Sequence, residues 1–344
     1  MKLVIQIPCL DEEETLPQTL AELPTSIAGI DEIEVLVVDD GSSDRTAEVA
    51  RASGVREVVR FPNHQGLARA FAAGLDRALQ LGADIIVNTD ADSQYCAEDI
   101  ATLIAPILRG EAEMVIGDRD PSRLDHFSPT KRVLQRLGSW AVRQVSNTTV
   151  PDAASGFRAF SRAAALKMNV LSDFTYTLET IIQAGKKQIA VAHVPVRARP
   201  TERPSRLFSS ASHYVRRSMS TLLRIYALYE PFKIFSMVGG GMLLVAAAIG
   251  LRFLYNYLSE GGAGHIQSLI LAGALLVIGF LTTLIGVLAD LIGRNRQLLE
   301  DILLRVRRME LRSGAEDAPP QRALPRVHEG EAQGRRRRAD GLPR

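Results

Sequence analysis

Residues 83–95, ADIIVNTDADSQY, constrain the chain more than any other stretch. A short run rich in Ile and Val, bounded by Gly82, ends abruptly on the carboxylates of Asp90 and Asp92. Its length, β-branched content and flanking residues predict a buried strand over 84–89 rather than a helix. In an open α/β sheet, ligands gather at the carboxyl ends of the strands. An Asp-x-Asp delivered there offers hard oxygen ligands to a divalent cation such as Mg²⁺ or Mn²⁺. The same residues also suit a capped turn, because Asp and Ser start helices and Glu98 and Asp99 mark one beginning just afterwards.

The surrounding pattern fits the strand reading. Strands are expected at 3–7, 35–38, 58–61, 84–89 and 114–116, with helices at 13–23, 44–52, 67–81 and 97–109 between them. Such alternation predicts an α/β fold, a mostly parallel sheet with helices on both faces, joined by right-handed crossovers. Three strand ends then carry carboxylates: Asp11 and Glu12, Asp39 and Asp40, Asp90 and Asp92. Each cluster has a local explanation as a turn or cap. Their convergence on one sheet edge would create a repulsion that a cation, or hydrogen-bond donors on a ligand, would relieve. No G-x-G-x-x-G follows the first strand, which disfavours a nicotinamide-dependent enzyme. Cys9 and Cys96 provide neither a disulfide framework nor a zinc pattern, as expected of a reducing compartment.

Beyond residue 117 the chain becomes more polar and basic. Residues 131–147 place Leu134, Leu137, Ala141 and Val145 at helical spacing with Arg132, Arg136 and Arg143 between them. A basic amphipathic helix of this kind suits a membrane interface, and equally an ordinary surface helix packed on a sheet. Residues 152–162 read as a turn entering a short strand, 177–185 as a helix, and 197–206 as an extended loop rich in Arg and Pro. Residues 207–231 are again amphipathic and basic.

Two stretches without a charged residue follow, 234–251 and 266–289, spanning roughly 27 and 36 Å as helices. Lys and Arg flank this pair on its outer sides, and between the two stretches only Arg252, at the outer end of the first, is basic and would snorkel to the interface; this bias puts both termini in the cytosol. The N-terminus shows no secretory signal, and residues beyond about 312 read as a disordered tail. The expected organisation is a cytosolic catalytic domain (1–206), an interface helix (207–231), a two-helix membrane anchor (232–291) and a basic juxtamembrane segment with its tail (292–344).

Three motifs carry a resemblance. VIQIPCLDEEETL, VLVVDDGSSDRTAEVA and NTDADSQY, in this order, resemble the nucleotide-binding half of family 2 glycosyltransferases with the GT-A fold. SGFRAFSR, TYTLET and RPSRLF, followed by apolar helices, resemble the branch that makes polyprenyl- and dolichyl-phosphate sugars. The resemblance spans roughly residues 1–290. It implies that Pro8, Leu10, Glu12, Asp40, Asp90 and Ala91 line the donor nucleotide and diphosphate, with Arg203 and Arg206 closing over it. It further implies Mg²⁺ or Mn²⁺ at Asp90, Asp92 and Gln94, catalytic roles for Asp92 and Asp152, and an acceptor phosphate met by Arg119, Arg132 and Arg158. A salt bridge to a nearby carboxylate is the plainer reading of Arg158. Glu179 matches an acidic position of the family. Leu10 and Asp11 stand where relatives often have an aromatic residue and Asn, which leaves the stacking of the base open.

The implied activity is transfer of a sugar from a UDP or GDP donor to a polyprenyl phosphate, with inversion, at a lipid bilayer. Homo-oligomers are expected and nucleic acid is not. A processive polysaccharide synthase shares the nucleotide motifs but normally carries Q-x-x-R-W, whereas the single tryptophan, Trp140, lies in QRLGSW. A D-x-D-x-T phosphatase would need a Thr that residues 90–94 lack. A membrane scaffold with a degenerate nucleotide-sugar domain is the competing reading outside the enzymes.

Overall fold

In the computed structural model, the described residues are 1–119, 142, 143, 146, 148–170, 176–199, 231–260 and 266–316. The first strand, β1 (Lys2–Cys9), is buried on both faces from Leu3 onward, as a central strand of a covered sheet must be. It is followed by α1 (Leu16–Glu22), β2 (Glu32–Asp39), α2 (Thr46–Ala52), β3 (Glu57–Arg60), α3 (Leu67–Gln80) and β4 (Ile85–Asn88). These elements match the expected alternation to within a few residues.

The helix expected at 97–109 opens as a 3₁₀ turn, Ala97–Asp99, and continues as α4 (Ile100–Leu108). The strand expected at 114–116 is β5 (Met114–Asp118), but it does not close the sheet. β6 (Arg158–Ser161) inserts antiparallel between β4 and β5, and β7 (Val191–Pro195) pairs parallel with β5 at the edge. The strand order is β3-β2-β1-β4-β6-β5-β7. Between β6 and β7 lie α5 (Arg162–Lys167) and α6 (Tyr176–Lys186). The short α5 and the half-exposed β7 have no equivalent among the expected elements, because neither carries a long enough periodic signal.

The period-2 alternation of each strand sorts its side chains into two cores. Leu3, Ile5 and Ile7 of β1 face Leu16, Ile100, Leu103 and Ile104 of α1 and α4. Val4 faces the opposite layer, with Phe71 and Leu75 of α3 and Ile181 and Ile182 of α6. Phe71 stacks on Tyr176 with ring centroids 3.8 Å apart, tying α3 to α6. Gly74 lets α3 lie close on the sheet, since a Cβ there would stand 3.1 Å from Val38 and 2.5 Å from the Gln6 amide oxygen.

Two long helices complete the described chain: α7 (Pro231–Glu260) and α8 (Ile266–Glu316). Both are long and apolar enough to cross a membrane, by length and composition. Gly239 and Gly279 allow their backbones to meet, as a Cβ on Gly239 would lie 2.7 Å from the Gly279 carbonyl. α8 does not stop at the end of its apolar half. It runs on beside the α/β domain, where Leu304 and Leu311 pack against the α3–α6 core and Arg307 donates to the Met168 carbonyl at 2.8 Å. Lys187 meets Glu300 at 2.9 Å and Arg307 meets Asp76 at 3.4 Å. The amphipathic segments expected at 131–147 and 207–231 lie almost wholly outside the described residues.

The stacked Phe71 carries the packing between α3 and α6. Phe71→Ala should lower unfolding stability by about 3–5 kcal/mol, measured by denaturant titration of the detergent-solubilised protein.

Candidate active site

The parallel registers of β1 with β2 and β4 bring their carboxyl ends to one edge, with Cys9 level with Asp39 and Gln6 level with Asn88. On the β2 side, Asp39 is fully buried, accepts from Ser42 N at 2.9 Å and meets Arg60 at 3.2 Å. Asp40 accepts from the backbone N–H groups of Gln65 (2.8 Å) and Gly66 (2.9 Å) and pairs with His64 Nδ1 at 2.8 Å. Its carboxylate thereby organises the 63–66 loop. Gly41, at φ 75°, permits this closeness: a Cβ there would stand 2.4 Å from the backbone of Asn63.

The end of β1 turns sharply, with Asp11 at φ 53°. Asp11 Oδ1 accepts from Ser43 N at 2.8 Å, and Glu12 N donates to Thr46 Oγ1 at 2.8 Å, which laces the β1 and β2 ends together. Glu12 is buried and accepts from Thr15 Oγ1 at 2.6 Å. Pro8 is buried in β1 and Leu10 half-buried beside it, on the side of the edge that also holds Asp40.

At the end of β4, Ala91 is buried while Asp90, Asp92 and Gln94 are half-buried. Ser93 has φ 53°, and the turn is held by Thr19 of α1, whose hydroxyl donates to the Ala91 carbonyl (2.9 Å) and meets Ser93 Oγ (2.8 Å). Gln94 N donates to Asp92 Oδ1 at 3.1 Å, and Gln94 O accepts from Arg199 N at 2.8 Å. Asp90 lies against Gly156, where a Cβ would come 3.0 Å from its carboxylate and 2.9 Å from the Tyr176 hydroxyl. Burial, and then the charge of Asp92, push the Asp90 carboxyl up to about 7, with Arg119 opposing and Glu12 adding to the shift. A cation bound beside it would favour the ionised form against that burial.

Among the described residues, no three His, Cys, Asp or Glu side chains converge as a self-sufficient metal cage. A carboxylate pair at a strand end instead fits a hard cation that takes its other oxygens from a diphosphate and water.

Beside Asp90 stands the Asp152–Arg119 pair. Arg119 Nε and Nη2 donate to the two Asp152 oxygens at 2.7 and 3.1 Å, and Asp152 is fully buried. Burial alone would lower Arg119, but Tyr95, Asp152 and Asp90 more than offset it and hold the guanidinium firmly charged. The two residues expected to act separately are therefore one unit.

Arg158 requires a correction. It is fully buried, donating to the carbonyls of Ser155 (2.8 Å), Thr177 (2.7 Å) and Ala153 (3.0 Å) and to Thr180 Oγ1 (2.5 Å). It is packed inside the protein and does not present itself to an acceptor phosphate. Among the described residues it forms no salt bridge either; main-chain carbonyls and the Thr180 hydroxyl take that place. Glu179 is likewise buried, accepting from Gln183 Nε2 at 3.2 Å. Arg132, Arg203 and Arg206 lie outside the described residues.

Several residues that hold the site lie inside the motifs, yet the sequence assigns them no role. Asn88 donates to the Gly156 carbonyl (2.9 Å) and the Tyr176 hydroxyl (2.8 Å) while accepting from Gln6 (2.8 Å). Tyr95, stacked on Phe157 at 4.9 Å, accepts from Gly156 N at 3.1 Å. Their sequence signal is their place in NTDADSQY and SGFRAFSR, which does not tell what each of them bonds to. Gly156→Ala should displace Asp90, and the expected outcome is a loss of divalent-cation affinity of about tenfold or more with the fold retained, read by calorimetry and circular dichroism.

Comparison with known proteins finds similar chains. The family model described as Glycosyl transferase family 2 matches residues 4–168. The UDP-N-acetylglucosamine–dolichyl-phosphate N-acetylglucosaminyltransferase of Methanococcus voltae is 29% identical over 220 residues, covering 57% of this chain and 85% of the relative. The undecaprenyl-phosphate 4-deoxy-4-formamido-L-arabinose transferase of Pseudomonas paraeruginosa is 26% identical over 303 residues, 84% of each chain. Among solved structures, glucosyl-3-phosphoglycerate synthase from Mycobacterium tuberculosis, in complex with Mn²⁺, UDP-glucose and phosphoglyceric acid, superposes with a TM-score of 0.52. That match is at 22% identity, covering 66% of this chain and 80% of the other, and shows the shared fold. With its Asp-x-Asp strand end, its mixed sheet and relatives that transfer sugars to polyprenyl phosphates, the chain belongs to glycosyl transferase family 2.

Proposed function

We propose that the protein transfers a sugar from a nucleoside-diphosphate donor to the phosphate of a polyprenol, anchored in the membrane by α7 and α8 with its α/β domain and both termini in the cytosol. The observation that carries this reading is the Asp90–Asp92 pair at a strand end on the sheet edge, in a chain that closes with two membrane-length apolar helices. The relatives of Methanococcus and Pseudomonas, named for dolichyl- and undecaprenyl-phosphate acceptors, support the acceptor class.

The donor end falls to β1 and β2. Pro8, Leu10, Glu12 and the Asp40-held loop at 63–66 form the nucleoside side, and Asp90, Ala91, Asp92 and Gln94 the diphosphate side. Mg²⁺ or Mn²⁺ bound there would neutralise the diphosphate as it leaves. Asp90 and Asp92 hold the carboxylate pair open toward the reacting groups, Thr19 fixes their turn, and Gly156 leaves Asp90 room against β6. An acceptor phosphate oxygen attacks the anomeric carbon, its C–O bond forms as the bond to the nucleoside diphosphate breaks, and the configuration inverts. Because the acceptor is already an anion near neutral pH, no strong base is needed. Asp152, buried and bound bidentately by Arg119, serves better as the anchor that fixes the Arg119 guanidinium, the group of the pair whose charge suits the incoming phosphate. Arg203 and Arg206 are assigned to the leaving diphosphate and Arg132 to the acceptor.

The direct test incubates the purified protein with undecaprenyl or dolichyl phosphate, Mg²⁺ or Mn²⁺, and a panel of UDP- and GDP-sugars. A lipid-linked sugar is expected, and its absence across the panel would sink the reading and favour a binding-only scaffold. Asp92→Ala should reduce turnover at least about a hundredfold, since removing one charge-stabilising group costs about 2.7–4 kcal/mol.

The Asp90 carboxyl also sets a pH dependence. A carboxyl raised to about 7 must lose its proton before it can bind a cation, so Mn²⁺ affinity should fall about tenfold for each pH unit below 7 and level off above it. Asp92→Asn should shift this break to lower pH, because the Asp92 charge helps raise Asp90. An unchanged profile in calorimetric Mn²⁺ titrations would contradict the assignment.

A further inference from the structure

Below its apolar half, α8 carries two distinct stripes. One consists of Glu300, Leu304, Arg307 and Leu311 and is occupied by the α/β domain through Lys187, Asp76, Met168 and the α3–α6 core. The other consists of Leu299, Ile302, Val306 and Met309, all between 42% and 66% exposed. Their spacing of three, four and three residues is the heptad pattern of a coiled-coil seam, and at 100° per residue this seam lies on nearly the opposite side of the helix from the docked stripe. The same spacing runs up through Ile292, Leu288 and Ile285, each more than half exposed. Inside a bilayer such side chains need no partner. From Asp290 onward, however, the helix is flanked by Arg294, Asp301, Arg305 and Arg308, residues that belong in water, where an uncovered apolar stripe is unfavourable.

We propose that this seam pairs with the same seam of a second copy of the chain, as a parallel two-stranded coiled coil. Two features favour a second copy over any other occupant. Chains anchored through α7 and α8 leave the bilayer in the same direction and at the same depth, so identical heptad positions stand level without further adjustment. This step rests on the membrane anchoring proposed above and not on the enzymatic activity. The second feature is charge. Arg305 and Glu310 flank the seam on opposite sides, five residues apart, and both are exposed. In a parallel, in-register pair, that separation sets Arg305 of one chain against Glu310 of the other, twice by symmetry. The α/β domains, held on the far stripes, remain outside the pair.

The test uses the full chain in native-like membranes. Cys9 and Cys96 are buried, so a cysteine introduced on α8 is the reactive one. Under mild oxidation, Val306→Cys should give a species of twice the 37.6 kDa chain mass, and Arg308→Cys, off the seam, should give little. Arg305→Glu should weaken the Val306→Cys cross-link by placing Glu against Glu310, and the double exchange Arg305→Glu with Glu310→Arg should restore it. A single-chain mass in lipid nanodiscs, equal cross-linking at Val306 and Arg308, or a cross-link to a protein of different sequence would each overturn the pairing. Carbonate extraction of the same membranes reads the anchor separately: a chain that stays in the membrane without cross-linking defeats the pairing alone, and a chain that is extracted defeats the anchor on which it rests.

Discussion

Negative charge gathered at one sheet edge is the constraint on which the rest of this structure depends. Parallel registers deliver Glu12, Asp40, Asp90 and Asp92 to neighbouring strand ends, and the fold tolerates this only by holding each acid differently. Asp39 pairs with Arg60, and Asp40 is held by the backbone N–H groups of Gln65 and Gly66 and by His64. For Asp90, burial and the Asp92 charge outweigh Arg119 and Arg158, and its carboxyl is pushed up to about 7. A folded protein that leaves one carboxylate in this state has stored an affinity for positive charge, since a bound cation recovers what desolvation and Asp92 impose.

Arg158 is the interior counterpart of that arrangement. Burial lowers its pKa to about 10, yet Tyr176 and Asp152 oppose the shift and it still carries its charge at neutral pH. Four acceptors surround it, so the guanidinium is solvated by the protein rather than by water. The same side chain pins the loop that presents Asp152 and Gly156 to the first turns of α6. Arg158 therefore acts on the site as a fixed charge beneath it and as a clamp on its floor, without touching what binds there.

The distinction explains what was legible in the sequence. Strands β1, β2 and β4 could be read because covered parallel strands are continuous apolar runs, and Asp90 and Asp92 stood out because such a run stopped on them. β6 was legible as a strand but not as an antiparallel insertion, since pairing partners leave no mark in a four-residue segment. Arg158 was misassigned because residue type says nothing of burial: an arginine at the start of a strand points outward or inward depending on register. The roles of Thr19, Asn88, Tyr95 and Gly156 were illegible for a related reason, although the last three lie in quoted motifs. They come from contacts 61 to 88 positions away in sequence, and in Asn88 from a polar residue that a buried strand tolerates only with partners waiting across the sheet.

α8 shows how a local rule can carry a long-range consequence. Between Arg294 and Ser313 it contains neither Gly nor Pro, and Arg296 supports it by pairing with Glu300 one turn away at 3.0 Å. A helix of that composition does not bend easily, so its docking on α3, α5 and α6 fixes the α/β domain to the apolar helices as one body rather than tethering it by a flexible linker. From Ala289 to Leu304 the helix rises about 22 Å, which under the proposed anchoring would hold the domain within a short distance of the bilayer surface. A reaction between a soluble nucleotide sugar and a phosphate confined to that surface gains from such a strut. Under that proposal the site would face the membrane at a set height, and the entropy of finding the acceptor would be lost once, at folding, rather than in every turnover.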